Sequence, residues 1–354
     1  MAVIADSGQR GGLLVIFDYP SSLSRKFKRH LLAEEQKLFQ TLMTQFYPGM
    51  PVYLTFAVQD FDSTAKKPNG EEMMRDYDRL IQTIHKVEPK KILCMGATAH
   101  AVLHRTWRAE YIPNIRGRLT EYITRDDDGN LFRIPTLTTY PLYFVLTGDS
   151  DQFRDLAFDL DKLSRLDKAY ELPEIRQQVI STPIEAVQIL ETLSSASLLT
   201  CDIETTGLDW MKDTIDLVGF CAMTRENVAR TFILTRPTLN DSRVRHRLFQ
   251  LLNGDLSPTR VVFHNSKFDL KFLARLCGKF PAAGNIRDTI LMNHLLDERP
   301  VNSSSKPHGL KSLARTRFDA DNYAFDFEGY WEVKASGIFN RSNVSKRRCR
   351  STSL

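Results

Sequence analysis

The sequence predicts an α/β protein made of two domains. Its 354 residues exceed one ordinary domain, since domains usually contain roughly 100–200 residues. Short apolar segments alternate with amphipathic ones along most of the chain, which is typical of strands and helices packed in layers. The hydrophobic share of 42% and the charged share of 26% are ordinary for a globular protein, so a fibrous chain is excluded.

The first predicted domain covers residues 11–163 and alternates strands with helices. Apolar runs predict strands at Leu13–Phe17, Val52–Phe56, Lys91–Met95 and Ile134–Leu137. Helical spacing of apolar residues predicts helices at Ser24–Tyr47, Glu71–Val87, Thr98–His104 and Asp151–Leu163. This order indicates a Rossmann-like three-layer domain around a mainly parallel sheet.

The second predicted domain covers residues 181–336 and follows a charged linker at residues 164–180. Strands are expected at Leu198–Ile203, Ile215–Ala222, Val228–Leu234 and Val261–Phe263. Helices are expected at Thr182–Leu193, Arg243–Leu252, Lys267–Cys277, Asp288–Leu296 and Leu310–Arg315. An early hairpin followed by alternating helices and strands indicates a mixed sheet with helices on its faces.

The surplus positive charge lies at the end of the chain. The protein has 48 bases and 43 acids, and five of the bases follow residue 340, where there is no acid. The remaining 43 bases balance the acids, so net charge gives no footprint of a duplex-binding domain. We expect residues 337–354 to form a basic disordered tail, because their apolar periodicity stops.

Cysteine spacing and hydropathy limit the class of protein further. The closest two cysteines, Cys201 and Cys221, are far apart, so a structural zinc site or an iron–sulfur cluster is not expected. The apolar run nearest the N-terminus, Leu13–Phe17, is too short to cross a membrane or to form the core of a signal peptide. We therefore expect a cytoplasmic protein with no membrane partner.

Two acidic residues follow a buried strand of the second domain. Asp202 and Glu204 come after the apolar run that ends at Cys201, and Thr205-Thr206-Gly207 then turns the chain. Alternate residues of a strand point to the same face, so the two carboxylates share one side with Cα atoms about 6.6 Å apart. Hard carboxylate oxygens of this kind suit Mg²⁺ or Mn²⁺. A solvated acidic pair at a strand end is the alternative.

A third carboxylate, Asp269, falls in the first turn of the next predicted strand–turn–helix unit. Ser266 and Asp269 also fit a capping box, which alone would explain the acid. Together with Asp202 and Glu204, however, Asp269 completes a set suited to a two-metal site for phosphodiester hydrolysis.

These segments resemble motifs of a known enzyme family. Asp202-Ile203-Glu204-Thr205-Thr206-Gly207-Leu208 and His264-Asn265-Ser266-Lys267-Phe268-Asp269 resemble the first two motifs of DEDD-type 3′–5′ exonucleases, whose fold is RNase H-like. The closest variety is the proofreading domain of family-A DNA polymerases, and the resemblance runs from about residue 181 to 314. It implies a metal-dependent exonuclease acting on single-stranded 3′ ends of DNA. It also implies Asp202, Glu204 and Asp269 as catalytic metal ligands, and contacts to the terminal nucleotides from Thr205, Leu208, Asn265 and Phe268.

The third motif of that family, Tyr-x-x-x-Asp, does not occur where it is expected. Phe327 stands four residues after Tyr323, and Lys334 stands four after Tyr330. We therefore expect the domain to be truncated before this motif, with weak or no hydrolysis by this chain, unless a ligand comes from Asp319, Asp321 or Asp326. The alternative is a catalytically incomplete fragment that binds DNA or serves a structural role.

The first domain resembles the C-terminal half of the uracil-DNA glycosylase superfamily in its family-4 form. The resemblance is carried by the strand–glycine–helix segment at residues 91–99, by residues 115–118 and by residues 134–141. Tyr140-Pro141 replaces the usual His-Pro, and Asp18 lies in a loop that differs from the family's first loop. We therefore expect an inactive binding or packing module, with an active glycosylase as the weaker alternative.

A glycosylase-like domain followed by a proofreading-type domain resembles the N-terminal part of certain bacteriophage DNA polymerases. They imply a phage-encoded protein whose partner is the remainder of a polymerase encoded downstream.

Overall fold

The chain folds into two units. The computed structural model describes residues 10–21, 30–61, 67–125, 129, 131–148, 150–196, 198–224, 228–256, 259–300 and 306–320. Of these, residues 10–169 and 314–320 form the first unit, and residues 170–313 form the second. Each unit contains a mixed sheet with helices, which confirms the predicted α/β class.

The first unit is built on a five-stranded sheet. Its strands are β1 (Leu13–Phe17), β2 (Val52–Phe56), β3 (Lys91–Met95), β4 (Leu119–Arg125) and β5 (Leu131–Thr139). Its helices are α1 (Ala33–Phe46), α2 (Gly70–Val87), α3 (Ala97–Leu103), α4 (Ile112–Ile115), α5 (Leu142–Thr147) and α6 (Ser150–Arg165). The strand order is β2-β1-β3-β5-β4, and only β4 runs antiparallel to its neighbour.

The apolar runs of this unit are buried because both faces of the sheet are covered. In β1 the side chains of Leu13 and Val15 enter one apolar cluster, and those of Leu14 and Ile16 enter the cluster on the opposite face. Strand β4 was not predicted, because as an edge strand it keeps polar, partly exposed residues instead of a continuous apolar run. The predicted first helix began at Ser24, but residues 22–29 lie outside the described residues, and α1 begins at Ala33.

The end of the last described helix, α12 (Leu310–Phe318), packs within the first unit. Lys162 is buried and pairs with the Asp319 carboxylate, and its Nζ also donates to the Thr316 carbonyl at 2.7 Å. The same carboxylate accepts a hydrogen bond from the Leu119 amide at 2.7 Å. A buried ammonium is stable only with a partner, so these contacts fasten residues 314–320 to the rest of the first unit.

The second unit is built on a six-stranded sheet. Its strands are β6 (Glu174–Ile180), β7 (Leu198–Thr205), β8 (Ile215–Met223), β9 (Val228–Thr235), β10 (Arg260–Phe263) and β11 (Ile286–Asp288). Its helices, apart from the start of α12, are α7 (Pro183–Leu193), α8 (Arg236–Leu239), α9 (Ser242–Asn253), α10 (Ser266–Cys277) and α11 (Thr289–Leu296). The strand order is β11-β10-β7-β8-β9-β6.

The pairing in this sheet decides where a site can form. Strands β7, β8 and β9 make an antiparallel meander, whereas β10 runs parallel to β7 and β11 parallel to β10. The carboxyl ends of β7, β10 and β11 therefore meet at one edge of the sheet, where open α/β sheets usually bind ligands.

The predicted linker contains a strand. Glu174–Ile180 pairs in parallel with β9 along its whole length, so the second unit begins earlier than residue 181. Six of its seven residues are exposed, as befits an outer strand, and they show neither the apolar run nor the alternation that identifies a strand in a sequence.

Candidate functional site

Strand β7 places two carboxylates on one face of the sheet. Cys201 and Ile203 point into the core with 4% and 7% exposure, whereas Asp202 and Glu204 point to the solvent side. The alternation predicted from the sequence is therefore present. The pairing of β7 with β8 shifts register after Glu204, so the strand leaves the regular ladder directly after the second acid.

The loop after β7 shows different environments for two predicted substrate contacts. The Thr205 hydroxyl donates to the Gly207 carbonyl at 2.7 Å, so it is engaged within the turn. A Cβ on Gly207 would approach the Asp213 carboxylate to 2.4 Å, so a larger residue there would displace the Asp213 side chain. Leu208 follows with 85% of its surface exposed, which suits a residue that touches a ligand.

Asp269, from the second acidic motif, lies close to the first motif at Asp202 and Glu204. It lies in the first turn of α10, is only 4% exposed, and its carboxylate accepts a hydrogen bond from the backbone amide of Ile203. Because Ile203 lies between Asp202 and Glu204, this bond brings the third carboxylate to the first two.

The three carboxylates repel one another. Burial and the neighbouring Asp202 raise the pKa of Asp269 to about 7. Partial burial raises the pKa of Asp202, and partial burial with the Asp202 charge raises that of Glu204. In the described part of the chain none of the three forms an ion pair with Lys, Arg or His. The cluster therefore lacks a protein cation that would balance its charge.

Asp288 anchors the turn that carries Asn265 and Ser266. Its carboxylate accepts hydrogen bonds from the Asn265 amide at 3.0 Å and from the Ser266 amide and hydroxyl, each at 2.8 Å. It also caps its own helix through the Ile290 amide at 3.0 Å. Burial opposes the charge, but these bonds hold the pKa of Asp288 below its ordinary value.

This arrangement replaces the capping box considered from the sequence. Asn265, not Ser266, is the N-cap of α10, and Ser266 donates its hydroxyl to Asp288. The Asp269 carboxylate does not take part in a capping box with Ser266 and interacts with the Ile203 amide instead. Sequence analysis missed the role of Asp288, since the partner amides lie more than 20 positions earlier.

His264 is a further residue near the site that the sequence analysis did not single out. Its Nδ1 lies 2.8 Å from the Thr289 hydroxyl, and the imidazole interacts with the charges of Asp288 and Asp202. Partial burial lowers the pKa of His264 below its ordinary value. The signal available in the sequence was its position directly after strand β10.

Three predicted substrate contacts line one cavity beside the carboxylates. Leu208, Asn265 and Phe268 surround a cavity of about 180 Å³ that also takes in Trp210, Lys267 and Lys271. Thr205 is not among its lining residues.

Three aspartates, Asp319, Asp321 and Asp326, were considered as substitutes for the missing third motif. Asp319 is engaged with Lys162 and Leu119 in the first unit, so it is not available as a ligand of this site. Asp321, Asp326, Tyr323 and Tyr330 lie outside the described residues, as does the basic tail at 337–354.

The donor set suits a divalent cation. Three carboxylates without a basic partner provide the hard, negatively charged oxygens that Mg²⁺ and Mn²⁺ prefer. Within the described residues, however, no group of three or more His, Cys, Asp or Glu side chains is arranged to hold a metal ion. The chemistry of the three carboxylates nevertheless fits the ion.

One protein-family model matches most of the second unit and the residues that follow it. Residues 199–335 match the model of the RNase_H superfamily. This part of the chain is thus an RNase H-like domain, in agreement with the fold predicted for it.

Solved structures that resemble the chain include three nucleases. Brucella melitensis NrnC with bound Mg²⁺ is 18% identical, with a TM-score of 0.30 over 43% of this chain and 64% of that protein. Escherichia coli RNase D, an exoribonuclease involved in structured RNA processing, is 15% identical, with a TM-score of 0.34 over 42% and 35%. Trypanosoma brucei RNase D in complex with RNA U12 is 20% identical, with a TM-score of 0.28 over 34% and 40%. The chain spans less than two thirds of the length of each of these proteins.

No curated protein matches the sequence. Among the described residues, no helix is long and apolar enough to span a membrane.

Proposed function

We propose that the second unit is a divalent-metal-dependent 3′–5′ exonuclease of the family-A proofreading type, acting on single-stranded 3′ ends of DNA. The observation that carries this proposal is the hydrogen bond from the Ile203 amide to Asp269, which gathers three carboxylates without a basic partner. Such a set in an RNase H-like domain is suited to phosphodiester hydrolysis.

Asp202, Glu204 and Asp269 would hold the metal ions. A bound pair of divalent ions lowers the pKa of water and stabilises the charge of the leaving oxygen. The protein's own residues position the substrate. Asp288 fixes the turn at Asn265 and Ser266, so that Asn265 stays at the cavity that would receive the nucleotide.

Digestion of labelled oligonucleotides tests this proposal. The full chain, with Mg²⁺ or Mn²⁺, should shorten single-stranded DNA from its 3′ end, and Asp202→Ala should abolish the shortening. Asp255→Asn, at an exposed acid away from these motifs, serves as the matched control and should keep the activity. Equal shortening by wild type and Asp202→Ala, or shortening from the 5′ end, would count against the proposal. The rate of digestion of RNA with the same base sequence, compared with that of DNA, shows whether the enzyme prefers ribose or deoxyribose.

A second candidate is a nucleic-acid-binding fragment that does not hydrolyse its ligand. It is favoured by the pairing of Asp319 with the buried Lys162, which occupies one of the carboxylates considered as a further metal ligand. We expect slow hydrolysis for the same reason. Oligonucleotide binding with no metal-dependent shortening at any enzyme concentration would select this candidate.

We further infer that the first unit is a non-catalytic module resembling uracil-DNA glycosylases. Tyr140 is 3% exposed, stacks on Phe144 at 5.5 Å between ring centroids, and lies beneath the Arg116 guanidinium at 5.5 Å. A packed tyrosine suits a structural role better than catalysis. Free uracil released from uracil-containing DNA, and lost on deletion of residues 1–165, would overturn this inference and select the glycosylase alternative.

The resemblance of both units supports a bacteriophage DNA polymerase as the context, with the remainder of the polymerase as partner. Translation of the DNA downstream of the gene should reveal a Tyr-x-x-x-Asp segment and polymerase motifs. Only unrelated genes there would argue against this partner.

A further inference from the structure

The cavity beside the carboxylates has one wall that is held firmly in place. Trp210 is partly buried against the core of the second unit and lines the cavity. The Arg275 guanidinium of α10 donates to the Trp210 carbonyl at 2.8 Å and to the Asp213 carbonyl at 2.9 Å. These bonds tie the loop to the helix, so the indole is pre-organised and little entropy is lost when a ligand stacks on it.

Two lysines also line the cavity. Lys267 and Lys271 are one helical turn apart on α10 and therefore lie on the same face, with about 6 Å of rise between them. Within the described residues neither forms an ion pair or a hydrogen bond. The buried Lys91 and Lys162, in contrast, are paired with acids. Two unpaired ammonium groups at one cavity are suited to a polyanion.

Asn265 supplies a further polar group to the lining of the cavity. It is the N-cap of α10, yet its side chain makes no capping bond, and its backbone adopts a left-handed conformation with φ 69°. Asp288 satisfies the first amides of the helix instead. The side-chain amide of Asn265 is therefore not used for capping. A side-chain amide can both donate a hydrogen bond to the edge of a base and accept one from it. Non-glycine residues with positive φ often occur at functional sites.

We propose that this cavity binds the nucleotides that precede the terminal one in a single-stranded polynucleotide: Trp210 stacks on a base, and Lys267 and Lys271 hold consecutive phosphates. This inference rests on the proposed exonuclease function, because it places the cavity upstream of the bond to be cut. The lining offers one large aromatic ring for a base and two ammonium groups for phosphates. An aromatic platform beside a basic stripe is the usual arrangement for binding single strands.

Fluorescence anisotropy with a 5′-labelled eight-nucleotide thymidine strand in EDTA tests the proposal without hydrolysis. Trp210→Ala should weaken binding about tenfold, and Trp210→Phe should retain most of the affinity, since a smaller ring still stacks. Lys267→Gln and Lys271→Gln should each reduce the slope of log affinity against log salt by about 0.7. Lys37→Gln, an exposed helical lysine of the first unit, should change neither quantity.

Wild-type affinity in Trp210→Ala with an unchanged salt slope in both lysine variants would overturn the proposal, and circular dichroism confirms that each variant is folded. The uridine octamer, tested in parallel, separates RNA from DNA as the source of the ligand. Digestion with Mg²⁺ is measured separately. Hydrolysis that is indifferent to these variants contradicts the cavity's role alone, whereas binding with the predicted pattern but no hydrolysis contradicts only the exonuclease function.

Discussion

The Asp269 carboxylate accepts a hydrogen bond from the backbone amide of Ile203, which ties the first turn of helix α10 to strand β7. The same amide also interacts with the Asp202 carboxylate, so Asp202 and Asp269 share one donor. Glu204 follows on the same face of the strand, and the Asp202 charge raises its pKa, so the three carboxylates lie near one another.

Asp269→Asn should stabilise the metal-free protein while removing hydrolysis. At pH 8 the wild-type carboxylate is ionised, since burial and Asp202 raise its pKa only to about 7. Asparagine can still accept from the Ile203 amide but carries no charge, so we expect the free energy of unfolding to rise by about 1 kcal/mol. Urea titration measures this. Asp269→Ala, which loses the acceptor as well, should be less stable than Asp269→Asn, and the reverse order would contradict the role given to the bond.

Asp288→Ala should destabilise the second unit by about 2–3 kcal/mol, because it removes acceptors for the first turns of two helices. Asp241→Ala provides the matched control. Asp241 caps only helix α9, through the Arg243 amide at 2.8 Å, and should cost about 1 kcal/mol. Denaturant unfolding compares the two variants, and equal losses would show that Asp288 acts as an ordinary cap.

The elements with strong periodicity could be predicted from the sequence. Strand β1 is a buried apolar run, and helix α2 begins with a capping box in which the Asn69 side chain accepts from the Glu72 amide at 3.0 Å. Strands β4 and β6 could not be predicted in this way. Each lies at the edge of its sheet and keeps many polar residues exposed. The position of Asp319 could not be predicted either, since its partners Lys162 and Leu119 precede it by more than 150 residues.

The candidate site also contains features that the sequence predicts and features that it does not. Asp202 and Glu204 were placed on one face by the period of a strand, which is a local property. The contact of Asp269 with Ile203 depends on β10 pairing beside β7, and the anchoring by Asp288 depends on β11 pairing beside β10. The spacing of residues along the sequence does not predict which strands pair when those strands are many residues apart.

Residues after Leu313 should prove necessary for the stability of the first unit. Lys162→Ala leaves the buried Asp319 carboxylate without its cation, and we expect a loss of about 3 kcal/mol. Truncation after Leu313 should destabilise the same unit, because the Leu119 amide also loses its acceptor. Thermal unfolding measures both changes. Replacement of the exposed Lys37 should have no effect, and an unchanged melting temperature on truncation would contradict the assignment of this segment.

The stability of the first unit should fall as the pH rises towards 7, because of Asp18. Burial raises the pKa of this carboxyl from 3.8 to about 7, even though it accepts hydrogen bonds from the Ala99 and Thr98 amides. The unfolded chain therefore loses its proton first. The resulting contribution is fully present below pH 4 and is lost as the pH rises through about 7, with a slope of up to about 1.4 kcal/mol per pH unit.

Asp18→Asn should remove this dependence while keeping an acceptor for the Ala99 amide. Chemical denaturation at several values of pH between 4 and 8 should show a flatter profile for Asp18→Asn than for wild type or for the exposed control Asp78→Asn. Parallel profiles for all three proteins would show that Asp18 does not titrate in this range.

The most direct test of the central claim, that Asp202, Glu204 and Asp269 form a divalent-metal site, is equilibrium binding of Mn²⁺ followed by calorimetry. We expect the wild-type chain to take up Mn²⁺, Asp202→Ala and Asp269→Asn to bind it at least tenfold more weakly, and Asp255→Asn to bind it as the wild type does. Mn²⁺ binding that is the same in all four proteins, or absent from the wild type, would contradict the claim.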